Sequence, residues 1–257
     1  MIDIHNHILV NMDDGPQSKE AMIQLLKQAK QEGITCIIAT PHHLHPKYQN
    51  SFQQTSLKLA ELKQLPEIKS LGIEFYPGQE IRITDEIIQG IEEGSIQGLN
   101  RSRYLLIEFP FGEVPHFTKR LFFELQTRGY IPIIAHPERN KMIAKNPCIL
   151  YELICNGALS QLTADSLLGQ FGKNIQRLSI RLIDCHLAHF IASDAHSIEQ
   201  RPFALNGLFN ERKLSSYRNE IEEMIQNAKA IVNNEVIYSD RPVSYTHLRA
   251  HETREDL

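Results

Sequence analysis

Apolar and polar residues follow two rhythms along the chain. Short β-branched or aliphatic runs of strand length are followed by stretches in which apolar residues recur every three or four positions, as in repeated βα units around a parallel sheet. The run from Ile2 to Leu9 predicts a first strand. Ser18 is placed to cap a helix whose Met22, Leu25, Leu26 and Ala29 share one face, and Gly33 to end it. Further strands are predicted from Ile34 to Thr40 and near 72–80, 104–109, 131–136, 158–163 and 189–193, which makes seven. A helix is expected to begin at Pro115 and pass Phe117, Leu121 and Leu125 to Gly129. A last helix, from about Ser216, would present Ile221, Met224, Ile225, Ala228 and Val232 on one side.

Seven βα units in 257 residues suit an α/β fold of the distorted TIM-like (β/α)7 barrel type, with a site at its C-terminal mouth. An open doubly wound sheet is the alternative. No glycine-rich turn follows the first strand, where His5-Asn6-His7 and Asp13-Asp14-Gly15-Pro16 stand instead, so dinucleotide and P-loop fingerprints are missing. Neither a linker nor a repeat divides the units, and one domain over residues 1–243 is expected. Residues 244–257, which hold His247 and His251, have no core face and read as a non-native or disordered tail.

Composition narrows the function. With 42% hydrophobic and 23% charged residues the chain reads as an ordinary soluble globular protein. Its 27 basic and 31 acidic side chains, net charge -4, give no electrostatic reason to bind nucleic acid or an acidic membrane. No run approaches the ~18 apolar residues of a membrane helix. The start lacks a secretory pattern, and Cys36, Cys148, Cys155 and Cys185 are scattered and read as reduced, mostly buried thiols. A cytoplasmic address is expected. The oddity is twelve histidines beside four cysteines and no tryptophan.

Their positions explain them. Residues two apart on a strand share a face, so His5 and His7 can converge on one cation. The predicted strand ends also carry His42, Glu80, Glu108, His136, Asp194 and His196, and Asp14 lies just past the first strand. Charged groups on apolar strands are costly unless paired or bound to an ion, and Glu108 sits in a run of Leu, Ile and Phe. Nine candidate ligands, at about four to six per ion, suit two or three metals. Imidazole and carboxylate without thiolate favour manganese, iron or zinc.

These motifs, His5-Asn6-His7, Thr40-Pro41-His42, Glu80, Glu108, His136-Pro137-Glu138-Arg139 and Asp194-Ala195-His196, resemble the polymerase-and-histidinol-phosphatase superfamily. The opening Met-Ile-Asp-Ile-His-Asn-His with Asp13-Asp14-Gly15-Pro16 is closer still to its bacterial protein-tyrosine phosphatases, the CpsB/YwqE group of capsule and exopolysaccharide operons. The resemblance covers roughly residues 1–240. It implies a trinuclear, usually manganese-containing site, with magnesium, iron or zinc as substitutes. One metal would lie with His5, His7, Glu80 and Asp194, a second with Glu80, Glu108 and His136, and a third with Asp14, His42 and His196. It also implies membrane-associated tyrosine autokinases with tyrosine-rich tails as partners.

The expected chemistry is attack on phosphorus by metal-activated hydroxide, without a phosphoenzyme. No cysteine is followed six residues later by arginine, so a cysteine nucleophile is not expected. Arg139 and Arg201 are candidate phosphate clamps, or else surface salt-bridge partners. A phenol of pKa near 10 leaves with little proton assistance, which favours an aryl ester. His43 and His45 read as exposed loop histidines, Asp165 as a mouth residue or a helix cap, His186 and His189 as structural, and His116 as a distant cleft candidate. A small phosphate ester such as histidinol phosphate, a phosphodiester, or a non-catalytic scaffold role are the competing readings. Oligomeric state is left open.

Overall fold

A computed structural model describes residues 1–244. The tail expected over 244–257 lies, but for its first residue, outside the described residues. Among the described residues there are nine short strands: β1 (Ile2–Asp3), β2 (Cys36–Ala39), β3 (His42–His43), β4 (Glu74–Pro77), β5 (Glu80–Arg82), β6 (Tyr104–Glu108), β7 (Ile131–Ala135), β8 (Leu159–Thr163) and β9 (Phe190–Ala192). They form a three-stranded sheet of order β1-β2-β4 and a six-stranded sheet of order β3-β5-β6-β7-β8-β9. Every pairing between named strands is parallel.

Nine strands replace the predicted seven because two of the predicted strands are broken. Pro41 has no N–H to give a ladder, so the second run splits into β2 and β3, and the Pro41 carbonyl instead accepts Glu80 N at 3.2 Å. The third run splits after Pro77 into β4 and β5. At that break a Cβ on Gly78 would lie 2.8 Å from Ile38 Cγ2, so the crossing is crowded enough to need glycine. The first predicted strand shortens to two residues for another reason. Beyond Ile4 its backbone bonds to two neighbours at once: Thr40 N donates to Asn6 O on one side, while His7 N donates to Ala195 O and Asp194 N to His5 O on the other. Asn6 and Ala195 form an isolated parallel bridge.

Alternation along the strands feeds two cores. Leu105 and Ile107 of β6, Ile37 and Ala39 of β2 and Ile134 of β7 join the larger cluster, which the helices cover. Their sequence neighbours Tyr104, Leu106, Ile38 and Ile133 point the other way into a smaller one with Ile4, Phe190 and Ala192. Strands buried on both faces are what parallel sheets require.

The helix Lys19–Gln31 buries the four predicted residues, its N-cap Ser18 accepts Ala21 N at 3.1 Å, and Gly33 follows at φ +80°. Pro115 does not open its helix. That helix is Thr118–Thr127, with Thr118 Oγ1 bonded back to the Pro115 carbonyl. The last predicted helix divides into a 3₁₀ segment Arg212–Tyr217 and helices Arg218–Gln226 and Ala228–Asn233, because Asn227 turns its amide to the His189 carbonyl. Of the four thiols only Cys36 and Cys185 are buried; Cys148 is half-buried and Cys155 exposed.

Candidate metal centre

All nine predicted ligands come together in one cluster. His5 and His7 come from the extended segment after β1, Asp14 from the loop beyond it, and His42 from β3. Glu80 opens β5, Glu108 ends β6, His136 follows β7, and Asp194 and His196 follow β9. His136 (φ +33°) and Asp194 (φ +56°) hold left-handed backbone that non-glycine residues rarely adopt, a strain characteristic of functional sites.

Glu80 is the hub. Its Oε1 faces His136 Nε2 at 2.8 Å and His5 Nε2 at 3.3 Å, and its Oε2 faces His42 Nδ1 at 2.8 Å and His7 Nε2 at 3.3 Å. Asp194 Oδ1 lies 3.3 Å from both His5 Nε2 and His7 Nε2. Asp14, exposed at the rim, reaches His196 Nε2 at 3.3 Å and His42 Nε2 at 3.6 Å. Ligand atoms gather in four overlapping sets: His7, Asp14, His42 and His196; His5, His7 and Glu80; His5, His136 and Asp194; and His42, Glu80 and Glu108. The grouping differs from the one the resemblance implies, since Glu108 stands with His42, and His7 also joins the rim set.

Outer contacts aim the imidazoles inward. Gln161 Oε1 lies 2.7 Å from His5 Nδ1, Asp13 Oδ2 lies 2.7 Å from His7 Nδ1, and the Asp194 carbonyl lies 2.8 Å from His196 Nδ1, leaving each Nε2 toward the cluster. Asp13 also accepts the backbone N–H groups of His42 and Gly15, which ties the rim loop to β3. Sequence reasoning passed over Asp13 and Gln161. The signal for Gln161 was present, because a long amide inside an apolar strand demands a buried partner.

Arg139 and Arg201 converge on one atom: Arg139 Nη1 donates to Asp194 Oδ2 at 2.5 Å and Arg201 Nη2 donates to the same oxygen. The two oxygens of Asp194 are thus divided, one toward imidazoles and one toward guanidiniums. Arg139 also lies over the Phe171 ring at 5.0 Å. Arg82, a third cation that sequence reasoning missed, places Nη2 3.0 Å from Glu108 Oε2.

Burial opposes charge on Glu80 and Asp194. It is outweighed for Glu80 by His5 and His42 and for Asp194 by Arg201 and His5, so both lie well below the usual carboxylate range. Burial and the Glu80 charge push Glu108 up to about 7, and burial with Arg139 pushes His136 down to about 4. Burial takes Asp165 up to about 6, within the fields of Arg201, Asp194 and Arg139.

Some predicted placements change. His43 is not an exposed loop residue: it is buried in β3, neither ring nitrogen has a hydrogen-bond partner, and burial lowers it to about 4. His45 is half-buried and stacks between His42 and Tyr48, at 4.8 and 5.2 Å. Exposed His116 packs edge-on to Phe117, exposed His186 lies 3.8 Å from Asp240, and buried His189 accepts Ser160 N at 3.2 Å; none joins a ligand set.

The donor set fits cations on an observation of its own. His42 Nδ1, Glu80 Oε2 and Glu108 Oε2 are buried without a properly angled hydrogen bond, although His42 Nδ1 and Glu80 Oε2 stand 2.8 Å apart. Imidazole and carboxylate donors crowded together without well-angled hydrogen bonds are a set that divalent ions can satisfy.

Known proteins resemble this chain over nearly its whole length. CapC of Staphylococcus aureus is 60% identical over 94% of this chain and 95% of its own length. Tyrosine-protein phosphatase YwqE of Bacillus subtilis is 41% identical over 94% and 95%. A solved structure from the work on YwqE of Bacillus subtilis and CpsB of Streptococcus pneumoniae, unique metal-dependent tyrosine phosphatases, superposes with a TM-score of 0.87 at 41% identity, covering 95% of this chain and 98% of that one. The capsular polysaccharide synthesis family CpsB/CapC matches residues 1–233, and this chain belongs to it.

Proposed function

We propose that the chain is a metal-dependent phosphatase that hydrolyses phosphotyrosine in proteins. The observation that carries this reading is the meeting of five imidazoles and four carboxylates around Glu80, with two guanidiniums directed at the adjacent Asp194. Manganese is our first choice, with iron, zinc or magnesium as substitutes, held by His5, His7, Asp14, His42, Glu80, Glu108, His136, Asp194 and His196. When bound, such cations supply Lewis acidity: they lower the pKa of coordinated water and neutralise charge on phosphoryl oxygens.

The chain's own residues do the remainder. Glu80, with two imidazoles at each oxygen, bridges ligand sets and fixes their spacing. Arg139 and Arg201 are planar forks that a phosphoryl group can draw from Asp194 Oδ2, giving charge-assisted hydrogen bonds to its outer oxygens. Phe171 steadies the Arg139 guanidinium. A departing tyrosinate, with a pKa near 10, needs little proton donation, which suits a mouth without a dedicated acid.

We read the two sheets as arcs of one distorted (β/α)7 barrel in a single domain over 1–243. The Asn6–Ala195 bridge and the enclosed smaller core support closure. Membership of a capsule-synthesis family supports membrane-associated tyrosine kinases as substrates. Four free cysteines support a cytoplasmic setting, and no helix among the described residues is long and apolar enough to cross a membrane.

The test is steady-state kinetics on a phosphotyrosine peptide, a phosphoserine peptide and histidinol phosphate, after chelation and after re-addition of manganese, zinc or magnesium. Phosphotyrosine turnover that disappears on chelation and returns with metal is expected. Activity surviving complete chelation would overturn the metal requirement, and preference for histidinol phosphate would overturn the substrate.

A further inference from the structure

A groove of about 740 Å³ runs between the helices Lys141–Lys145 and Lys173–Asp184. Helical spacing puts cations on both walls. Lys141 and Lys145 are four apart on one helix, and Arg177 and Arg181 are four apart on the other. Two acids share the groove. Glu138 is fully buried in the floor with Oε1 engaged by Thr163 N at 3.0 Å, and Asp184 is exposed at the far end. Lys141, Lys145 and Arg177 thus share one groove with a buried Glu138 and an Asp184 at its far end, in a chain whose net charge is -4. Elsewhere on the surface Lys119 is matched by Glu152 and Arg128 by Glu92 and Glu124. Among the described residues, Lys141, Lys145 and Arg177 have no carboxylate partner: Lys141 lies over the Phe111 ring at 4.7 Å and Arg177 donates to Asn174 at 2.6 Å.

Both walls of the groove start, along the chain, close to the candidate site. Lys141 is two residues past Arg139, and the opposite helix starts two residues past Phe171, whose ring lies on Arg139. Both walls therefore lead away from the guanidinium that faces Asp194.

We propose that this groove binds an acidic stretch of the same polypeptide that carries the phosphotyrosine, so that the enzyme selects phosphotyrosines with Asp or Glu nearby. The inference rests on the phosphotyrosine reading above and adds a substrate class to it. Aliphatic side chains between the cations give the stems of peptide side chains a surface to cover, and the groove is of a size for a short extended segment rather than a duplex. The positive walls would act chiefly on encounter and on KM, leaving the chemical step alone.

The experiment uses the metal-loaded full chain and the double variant Lys145→Glu, Arg177→Glu, both positions being exposed and helical. Three substrates are compared: a phosphotyrosine peptide flanked by Asp and Glu, the same peptide flanked by Ser and Gly, and p-nitrophenyl phosphate. The expected result is an approximately tenfold rise in KM for the acidic peptide alone, with kcat unchanged and the salt dependence of kcat/KM reduced. Equal effects on both peptides, or none on either, would overturn the proposal. A separate arm measures anisotropy of a labelled, unphosphorylated acidic peptide, and Lys145→Ala, Arg177→Ala checks that loss of binding does not come from repulsion alone. Should no phosphotyrosine substrate be turned over, the functional reading fails, while groove binding is still decided by this arm. Tighter binding of heparin than of the peptide, lost in the same variants, would overturn the peptide assignment in favour of a polyanion.

Discussion

Two carboxylates are completely buried in the sheets, and their surroundings differ. In β1, Asp3 accepts Ser193 N at 2.7 Å, Ser193 Oγ at 2.8 Å and Asn6 Nδ2 at 2.8 Å. In β5, Glu80 meets four imidazole nitrogens, and its Oε2 has no hydrogen bond of good angle. Asp3 is satisfied by donors the chain supplies, which marks a structural joint between the first and last strands. Glu80 is surrounded by imidazoles and lies among further carboxylates, the arrangement on which the proposed metal centre rests. Burial alone does not separate these roles; the identity of the neighbours does.

The comparison breaks most easily at Glu80. Glu80→Gln should lower kcat/KM by about 10³ or more and release cations, read by elemental analysis, while circular dichroism shows the fold retained. Asp3→Ala should do the reverse, costing about 3 kcal/mol in urea unfolding while cation content stays near that of the parent. Loss of cations without loss of stability in Asp3→Ala would erase the distinction. If Arg139 and Arg201 clamp the phosphoryl group as proposed, Arg139→Ala should cost about a hundredfold in kcat/KM and Arg201→Ala about tenfold, both with cation content unchanged.

Acid titration sharpens the contrast at a smaller scale. His189 is buried away from the cluster, and burial holds it at about 4, below the ordinary 6.5. Its contribution to stability is present above pH 6.5 and lost as pH falls through 4, at about 1.4 kcal/mol per unit across that window. In His189→Gln this part of the acid sensitivity should vanish from the urea midpoint of cation-free protein. Asp3, raised by burial to about 6, has the opposite sign: its contribution is full below about pH 4 and lost as pH rises through 6.

Eight of the nine candidate ligands were legible because each is a charged or imidazole group at or just past the end of an apolar run, and Asp14 because it lies in the loop beyond the first of these runs. Their partition into sets was not, since His7 and Glu108 take partners from strands far apart in sequence. The order of βα units showed in the shift from strand to helical periodicity. The breaks did not: at Pro41 the missing N–H lies inside an otherwise strand-like run, and at Gly78 the cause is crowding against Ile38, which only the packed sheets reveal. His43 was misread for a similar reason: its burial comes from pairing β3 with β5, not from its neighbours in the chain. Arg82, alternate along β5 with Glu80, and Asp13, beside Asp14, were hidden by the more conspicuous ligands next to them.

The bridge between Asn6 and Ala195 has a consequence in time. His5 and His7 come from the start of the chain, and Asp194 and His196 from a point some 190 residues later, so their meeting closes a very long loop. Contacts of such sequence separation are the slow ones in folding, because chain entropy is spent before they form. During synthesis the first histidines must wait for nearly the whole domain to emerge from the ribosome before they find their partners. A nascent or truncated chain ending before Asp194 should therefore be catalytically silent, however well its early helices have formed.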